Sequence, residues 1–477
     1  MVGIVSYGAY IPLRRLGEGT QGWRFPAEKA VAYYDEDSIT MAVAAGINCV
    51  DDIDRGTVDG LYFASTTGPY KEKLAATTVA LAVDLRSDII TMDCVDSLRS
   101  GTGALKMAMD TIKAGSARQV MVTASDCRLG PPRSEFDQTF GDGAASFLIG
   151  DEDVAATIED SYSYSNELLD IWRADTSRYI HSWEDRWVQD EGYLKVLPLV
   201  VGEFFKRSGL TPKDITKAVF YGHNPRRHAE MGKKLGFQPE QIQDPLFSTV
   251  GNTGAASAMI MLIAALEDAK PGDTILCASY GDGADVLLLK VTDKIAGLKN
   301  KKGIKYNLKH KMIFPSYEMY LGFHHQSGED PEGGVGPAAS AIARERCAIY
   351  PLHGSKCNVC GTVQFPPQRI CTNCRAKDNS KQIRLSDKKA RVFTRVLDYQ
   401  ADVPGFDQPG VDTLIDWECG GRALFPMTDK DASSPEKVPI GMELEMTFRK
   451  IRVGGGIYHY FWKCMPLRES WVVKEEK

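Results

Sequence analysis

The chain has 477 residues, 43% of them hydrophobic and 25% charged, the balance of a soluble globular protein with room for two to four domains. Its 57 basic and 63 acidic residues leave a net charge of −6, too mild for a polyanion binder as a whole. The longest apolar run, residues 255–266, is well short of the ~18 residues that a bilayer helix needs, so no membrane partner is expected.

MVGIVSYGAYIP (1–12) alternates like a strand and lacks the basic segment of a signal peptide. The eleven cysteines do not form a disulfide framework, so a reducing, cytoplasmic setting is expected. An internal repeat follows. TGALKMAMDTIKAGSARQVMVTAS (102–125) echoes TGAASAMIMLIAALEDAKPGDTILCAS (253–279), and each is followed by GDGA and an apolar strand, 141–150 and 281–290. Two copies of a helix–strand–loop–strand unit predict a duplicated α/β domain with helix-covered sheets.

Between the copies lies an aromatic, charged insertion, DIWRADTSRYIHSWEDRW (170–187), and then AVFYGHNP (218–225). Residues 294–311 carry seven lysines and no acid, which reads as a solvated face with phosphate contact as the alternative. With the small-residue stretch 327–340 they form a connector, giving expected boundaries of 1–290, 291–340, 341–380 and 381–477. Cys357-x-x-Cys360 and Cys371-x-x-Cys374 then stand ten residues apart. Two residues between thiolates let one tight turn aim both sulfurs at one ion, and two such turns complete a tetrahedron. Four soft thiolates suit a closed, structural zinc site. Alternating segments beyond it (390–400, 421–427, 442–452 and 456–467) predict a small β-barrel. From residue 341 onward 22 basic and 17 acidic residues net +5, and no basic stripe carries interleaved aromatics, so no nucleic acid is expected.

SYGAYIP (6–12), GDGAASFLIG (141–150), DIWR (170–173), FYGHNP (220–225), GNTGAAS (251–257) and SYGDGAD (279–285) together resemble the thiolase superfamily. Within it they are most similar to hydroxymethylglutaryl-CoA synthases and ketoacyl-ACP synthases III. KCNVCGTVQFPPQRICTNC (356–374) is similar to the zinc-ribbon and OB domains that accompany thiolase-like enzymes. The resemblance implies a duplicated α-β-α-β-α domain, a zinc ribbon and an OB-type barrel, usually as a homodimer or in a larger acyl-CoA enzyme complex. It also implies a coenzyme A thioester as substrate. In the family the histidine and asparagine matched by His223 and Asn252 hold the thioester carbonyl; preorganised donors of that kind are worth roughly 3 kcal/mol each. A lone histidine is more often a core residue, but the strand end before Asn-Pro and the paired Asn252 speak for chemistry. Thr102, Arg226 and Arg227 are the substrate-binding candidates.

The pattern breaks at the nucleophile. In MDCVDSLRSGTGAL (92–105), Asp93, Thr102 and Leu105 fall in register with the family, and the nucleophilic cysteine position is Leu98. Leucine forms no acyl-enzyme. Cys94 lies four strand residues upstream, roughly 13 Å away. The family's acid/base glutamate falls at Thr66, with Glu72 out of register. Where covalent chemistry is obligatory, losing the nucleophile costs about 10⁴–10⁶ in rate. The leading reading is therefore aldol-type enolate chemistry at the thioester α-carbon without an acyl-cysteine. His223, Tyr193, Tyr280 and Asp282 are candidate bases, and a tyrosine in that role needs a depressed pKa. The alternatives are a non-catalytic scaffold subunit and a Claisen-type synthase using Cys94. Residues 160–200 are expected to shape the acyl pocket.

Overall fold

The opening alternation becomes β1 (Gly3–Tyr10), a strand buried on both faces. It belongs to one sheet with β2 (Gly60–Ser65), β3 (Ile90–Val95), β4 (Gln119–Asp126), β5 (Gly143–Gly150), β6 (Ala156–Ser165), β7 (Lys217–Phe220), β8 (Thr274–Tyr280) and β9 (Gly283–Val291). The computed structural model describes residues 1–222, 224–325, 338–401 and 407–471; His223 and most of 327–340 lie outside them. Sheet order is β7-β8-β9-β6-β1-β5-β4-β2-β3. β1 and β6 share two residue pairs, Gly3 with Thr157 and Ile4 with Ala156, so two half-sheets meet there. Gly3 permits the meeting: a Cβ on it would stand 2.1 Å from the Ala156 carbonyl oxygen.

The duplication is visible in three dimensions. α3 (Ser100–Lys113) leads to β4 and β5, and α6 (Ser257–Asp268) leads to β8 and β9. These two helices form the middle layer. α6 has ten of its twelve residues buried, as a helix apolar on all sides must. α3 approaches its entry so closely that a Cβ on Gly101 would stand 2.7 Å from the Ala255 carbonyl oxygen. The outer layers are α1 (Ser38–Cys49), packed on β1, β4 and β5, and α4 (Leu194–Ser208), packed on β6, β8 and β9. Asp37 caps α1 in a box with Thr40. In α4 the buried residues Val196, Leu197, Val200, Val201 and Phe204 follow the 3.6 period, and Gly209 at φ 71° ends the helix. Helix, sheet, helix, sheet, helix is the expected five-layered arrangement.

This first unit comprises Met1–Tyr33, Asp37–Ala80 and Leu85–Tyr317; a second comprises Tyr34–Glu36, Leu81–Asp84 and Glu318–Lys477. The second holds the small sheet β10 (His353–Cys357), β11 (Val363–Gln364) and β12 (Ser380–Arg384), in the order β11-β10-β12. It also holds the five strands β13 (Ala390–Asp398), β14 (Gly410–Trp417), β15 (Arg422–Pro426), β16 (Glu443–Gly454) and β17 (Ile457–Pro466). Their order is β15-β14-β13-β16-β17, and a bridge between Met427 and Cys464 joins the two ends into the expected small barrel. No helix among the described residues is long and apolar enough to cross a membrane.

Gly3→Ala should separate the half-sheets at their junction, since two of the three nearest atoms, including the closest, are backbone. We expect urea denaturation to register a loss of about 2–4 kcal/mol.

Candidate active site

The loop between β3 and α3 carries Leu98, the residue that the sequence reading aligned with the family's nucleophile. It is tied on both sides of Leu98 to the hairpin between β8 and β9. Ser97 Oγ donates to the Gly281 carbonyl (3.2 Å) and to Asp282 Oδ2 (2.8 Å). Arg99 Nε donates to the same carbonyl (2.7 Å), and its Nη1 pairs with buried Asp285 at 2.8 Å. Thr102, a substrate-binding candidate, donates its hydroxyl to Asp285 Oδ2 at 3.0 Å and to the Arg99 carbonyl at 3.0 Å. Asp96 and Asp282 both hold left-handed backbone, φ 68° and 48°, a strain typical of functional loops. The Leu98 side chain packs against the hydrophobic cluster that includes Tyr193, Tyr221 and Tyr280.

A shift of this loop that replaced Leu98 with Cys94 would break every one of those bonds. Cys94 stays in β3 opposite Ala64, and burial together with Asp93 pushes its thiol pKa up, away from an activated thiolate. Asp93 itself accepts from the N–H groups of Ala75 and Ala76, at the start of α2 (Ala75–Ala82).

Two groups of polar contacts involve the tyrosines of this cluster. Tyr193 ends the π-helical turn Val188–Tyr193 that leads into α4, and donates its hydroxyl to the Tyr221 carbonyl at 2.7 Å. Tyr280 donates to Asp170 Oδ2 at 2.6 Å. Asn252 Nδ2 donates to the Tyr221 hydroxyl (2.8 Å), while its Oδ1 accepts from Arg128 Nη2 (2.8 Å) and the Gly254 N–H (3.1 Å). The Tyr193 ring lies 5.7 Å from that of Tyr280, and Tyr221 stacks 6.5 Å from Tyr280. Burial holds the pKa of both Tyr193 and Tyr280 well above the ordinary phenol value, reinforced at Tyr280 by Asp170. Both are therefore proton donors at rest, not the depressed-pKa bases that the sequence reading required. Asp170 is pushed upward, chiefly by burial.

Thr66, at the family's glutamate position, donates both its N–H and its hydroxyl to Asp126 (2.7 and 2.9 Å). Asp126 also accepts from Ser65, Thr67 and the Ala255 N–H. Glu72 is exposed. His223 lies outside the described residues. Arg226 and Arg227, on α5 (Pro225–Lys234), both pair with Glu230, and Arg226 is largely exposed. A cavity of about 290 Å³ opens on the insertion, lined among others by Tyr164, Leu168, Trp187, Val196 and Leu199. Leu168 and Tyr280 both close on Gly192, so the cavity adjoins the tyrosine cluster. Of the residues that sequence reasoning missed, Asp170 and Tyr221 sit inside strings already singled out, DIWR and FYGHNP. Arg128 had no signal: it follows β4 in no motif or periodicity.

The four cysteines converge as expected. Their sulfurs lie within 4.8 Å of one another, Cys357 to Cys374 at 3.6 Å and Cys360 to Cys371 at 3.5 Å. A zinc tetrahedron with bonds of about 2.3 Å needs sulfurs about 3.8 Å apart, so the set fits the ion. The two knuckles repeat one turn: Gly361 N–H donates to the Cys357 carbonyl and Arg375 N–H to the Cys371 carbonyl, with φ 75° at Gly361 and 63° at Arg375.

Comparison with known proteins places this geometry. Residues 205–288 match the family model described as 3-oxoacyl-[acyl-carrier-protein] synthase III C terminal, and residues 344–380 match the ChsH2, rubredoxin-like zinc ribbon domain. The hydroxymethylglutaryl-CoA synthase of Methanopyrus kandleri is 30% identical over 336 residues, 67% of this chain and 96% of the relative. The chain belongs to the hydroxymethylglutaryl-CoA synthase family. The synthase of Pyrococcus horikoshii is 33% identical over 312 residues, 63% of this chain and 89% of that one. Among solved structures, a hydroxymethylglutaryl-CoA synthase complexed with CoA shares the fold at TM-score 0.61 and 18% identity, over 70% of this chain and 92% of that one. The 3-oxoacyl-[acyl-carrier-protein] synthase III of Aquifex aeolicus does so at 0.55 and 22%, over 61% and 100%. As a member of the synthase family, the chain thus combines the family's fold with leucine at the expected nucleophile position and adds a zinc ribbon.

Two outcomes follow. Iodoacetamide labelling of Cys94 should be slow at pH 7 and still rising beyond pH 9, because the raised pKa keeps the thiol protonated; fast labelling at neutral pH would mean an activated thiolate. Chelation, or Cys371→Ser, should release one zinc per chain by metal analysis and unfold the ribbon.

Proposed function

We propose that the protein makes or breaks a carbon–carbon bond at the α-carbon of an acyl-CoA thioester by aldol-type chemistry, with no covalent acyl-enzyme. The observation that supports this reading is the loop around Leu98, the residue aligned with the family's nucleophile, held by Ser97 and Arg99 to the β8–β9 hairpin. In the cleavage direction a base removes the proton of a 3-hydroxyl, the C2–C3 bond breaks, and C3 becomes a carbonyl. The electron pair passes to the thioester as an enolate, which takes a proton from solvent at C2 and leaves as acetyl-CoA or propionyl-CoA, while the proton gained by Asp170 returns to solvent. We assign the proton from the 3-hydroxyl to Tyr280, whose own proton passes to Asp170 in the same step. The pair moves a proton without a free phenolate, which the raised tyrosine pKa forbids. His223 is the candidate donor to the thioester carbonyl, as the family resemblance implies. The acyl chain would lie in the cavity of the insertion.

The protein is also proposed to work as a homodimer. β3 is an edge strand with Ile90, Met92 and Val95 at 43%, 37% and 51% exposure, an apolar edge that invites a second copy. Light scattering should give twice the chain mass, and Met92→Lys should shift it toward monomer. The closed five-stranded sheet is proposed as an OB-type accessory to the zinc ribbon.

The decisive experiment incubates purified protein with 3-hydroxyacyl-CoAs and follows the release of acetyl-CoA or propionyl-CoA by mass spectrometry. Tyr280→Phe and Asp170→Asn should each cost about 10²–10⁴ in rate, while Cys94→Ala should stay within about twofold, since Cys94 touches none of the network. Loss of turnover in Cys94→Ala, or an acetyl group trapped on Cys94, would overturn the reading in favour of Claisen chemistry.

A further inference from the structure

The cavity of about 290 Å³ on the insertion is walled by Tyr164 and Leu168 on one side and by Trp187, Val196 and Leu199 on the other. Trp187 stands just before the π-helical turn, and Val196 and Leu199 lie on α4. Trp187 and Leu199 are 42% and 44% exposed, so two large apolar side chains of this wall remain uncovered by the chain itself. The charged groups on the wall are Glu167, Glu191 and Lys195. Glu191 and Lys195 pair with each other, which leaves Glu167 as a surplus negative charge. The inner end of the space meets the tyrosines. A Cβ on Gly192 would stand 2.4 Å from the Tyr280 hydroxyl and 2.9 Å from Leu168 Cδ2. Val196 is part of the hydrophobic cluster that holds the three tyrosines, and Tyr164 packs against that cluster, as Leu98 does.

Size and lining decide what such a space holds. An apolar cavity of about 150 Å³ takes up benzene. A space about twice as large accepts one ring with a few carbons to spare, whereas a methyl group would leave water against Trp187 and Leu199. An anionic group gains nothing there, because the one cation is already paired and the surplus charge is negative. With the 3-hydroxyl at Tyr280, this is the space next to C3 of the acyl chain. We infer that the cavity is the subsite for an uncharged, ring-sized hydrocarbon group, so that the protein takes CoA thioesters bearing an aryl or cycloalkyl group at C3. Trp187 and Leu199 are its specificity-determining residues. The inference rests on the reading of this site as one for acyl-CoA thioesters.

The test is a matched pair differing in the group on C3 alone: 3-phenylpropanoyl-CoA against butanoyl-CoA, titrated calorimetrically into the full-length protein. Wild type should bind the phenyl thioester about 10–100-fold tighter, the span expected from burying one aromatic ring. A carboxylate in the para position of the ring should remove that gain. Leu199→Trp fills the space from a half-exposed position and should bring the ratio to within about twofold. Trp187→Ala takes away one wall and should lower the ratio about three- to tenfold. The wild-type ratio stands whether or not either variant folds. Equal affinity for the two thioesters in wild type overturns the inference and leaves the acyl-CoA reading intact. So does a ratio unchanged in both variants, which would place the ring elsewhere, or tighter binding of the carboxylated ring. If no thioester binds wild type, the acyl-CoA reading fails and the inference with it.

Discussion

The carboxylate of Asp126 is shared by three segments that are far apart in sequence. It stands at the end of β4, in the first repeat, and accepts from the Ser65–Thr67 turn that follows β2 and from the N–H of Ala255, where the second repeat begins its helix. A buried carboxylate with so many donors is stable in one arrangement, because each lost partner would leave a desolvated polar group behind. The turn after β2 and the entry to the second repeat helix are thereby brought to one place. Arg99 and Asp285 repeat the logic one layer away, fastening the β3–α3 loop to the β8–β9 hairpin. These two anchors decide where Leu98, Asn252, Tyr280 and Arg128 stand.

Under the proposed reading, such anchoring lets the loop keep its shape with leucine at position 98. Ser97 and Arg99 carry the loop's bonds, and the leucine side chain packs against the cluster that includes the three tyrosines. Replacing a polar nucleophile by leucine there removes a group that would otherwise need a partner, so stability does not oppose the change. The network beside it depends on one further chain of contacts, from Arg128 through Asn252 to Tyr221 and on to Tyr193. Every side chain in that chain is buried, which raises the electrostatic value of each hydrogen bond and the cost of leaving one unmade.

Cysteine plays two opposed roles along the chain. Cys94 is held in a strand and protonated by its surroundings, while Cys357, Cys360, Cys371 and Cys374 are gathered by two turns of the same geometry. The difference is one of local backbone. A knuckle turns its sulfurs toward a common point within five residues, whereas a strand sends alternate side chains to opposite faces and cannot converge them.

Features written in short-range patterns were legible from the sequence alone. The repeat, the strands that follow GDGA, the four-thiolate site and the leucine at position 98 depend on spacing, periodicity and order, which survive without coordinates. Even so, β1 reads as a half-buried alternating strand and is in fact covered on both faces, because the second layer of helices is invisible locally. The tyrosines show the limit most clearly: as residues they invite a base with a lowered pKa, and only their burial and the Tyr280–Asp170 contact reverse that direction. Arg128 carried no signal, since its contacts with Asn252 and Phe140 are a property of packing and not of neighbours in the chain. Sequence by itself determined the fold class, the zinc ligands and the leucine at position 98. Tertiary structure decided which groups are buried, which are paired and which have shifted pKa values, because those depend on desolvation and distance between residues the chain keeps far apart.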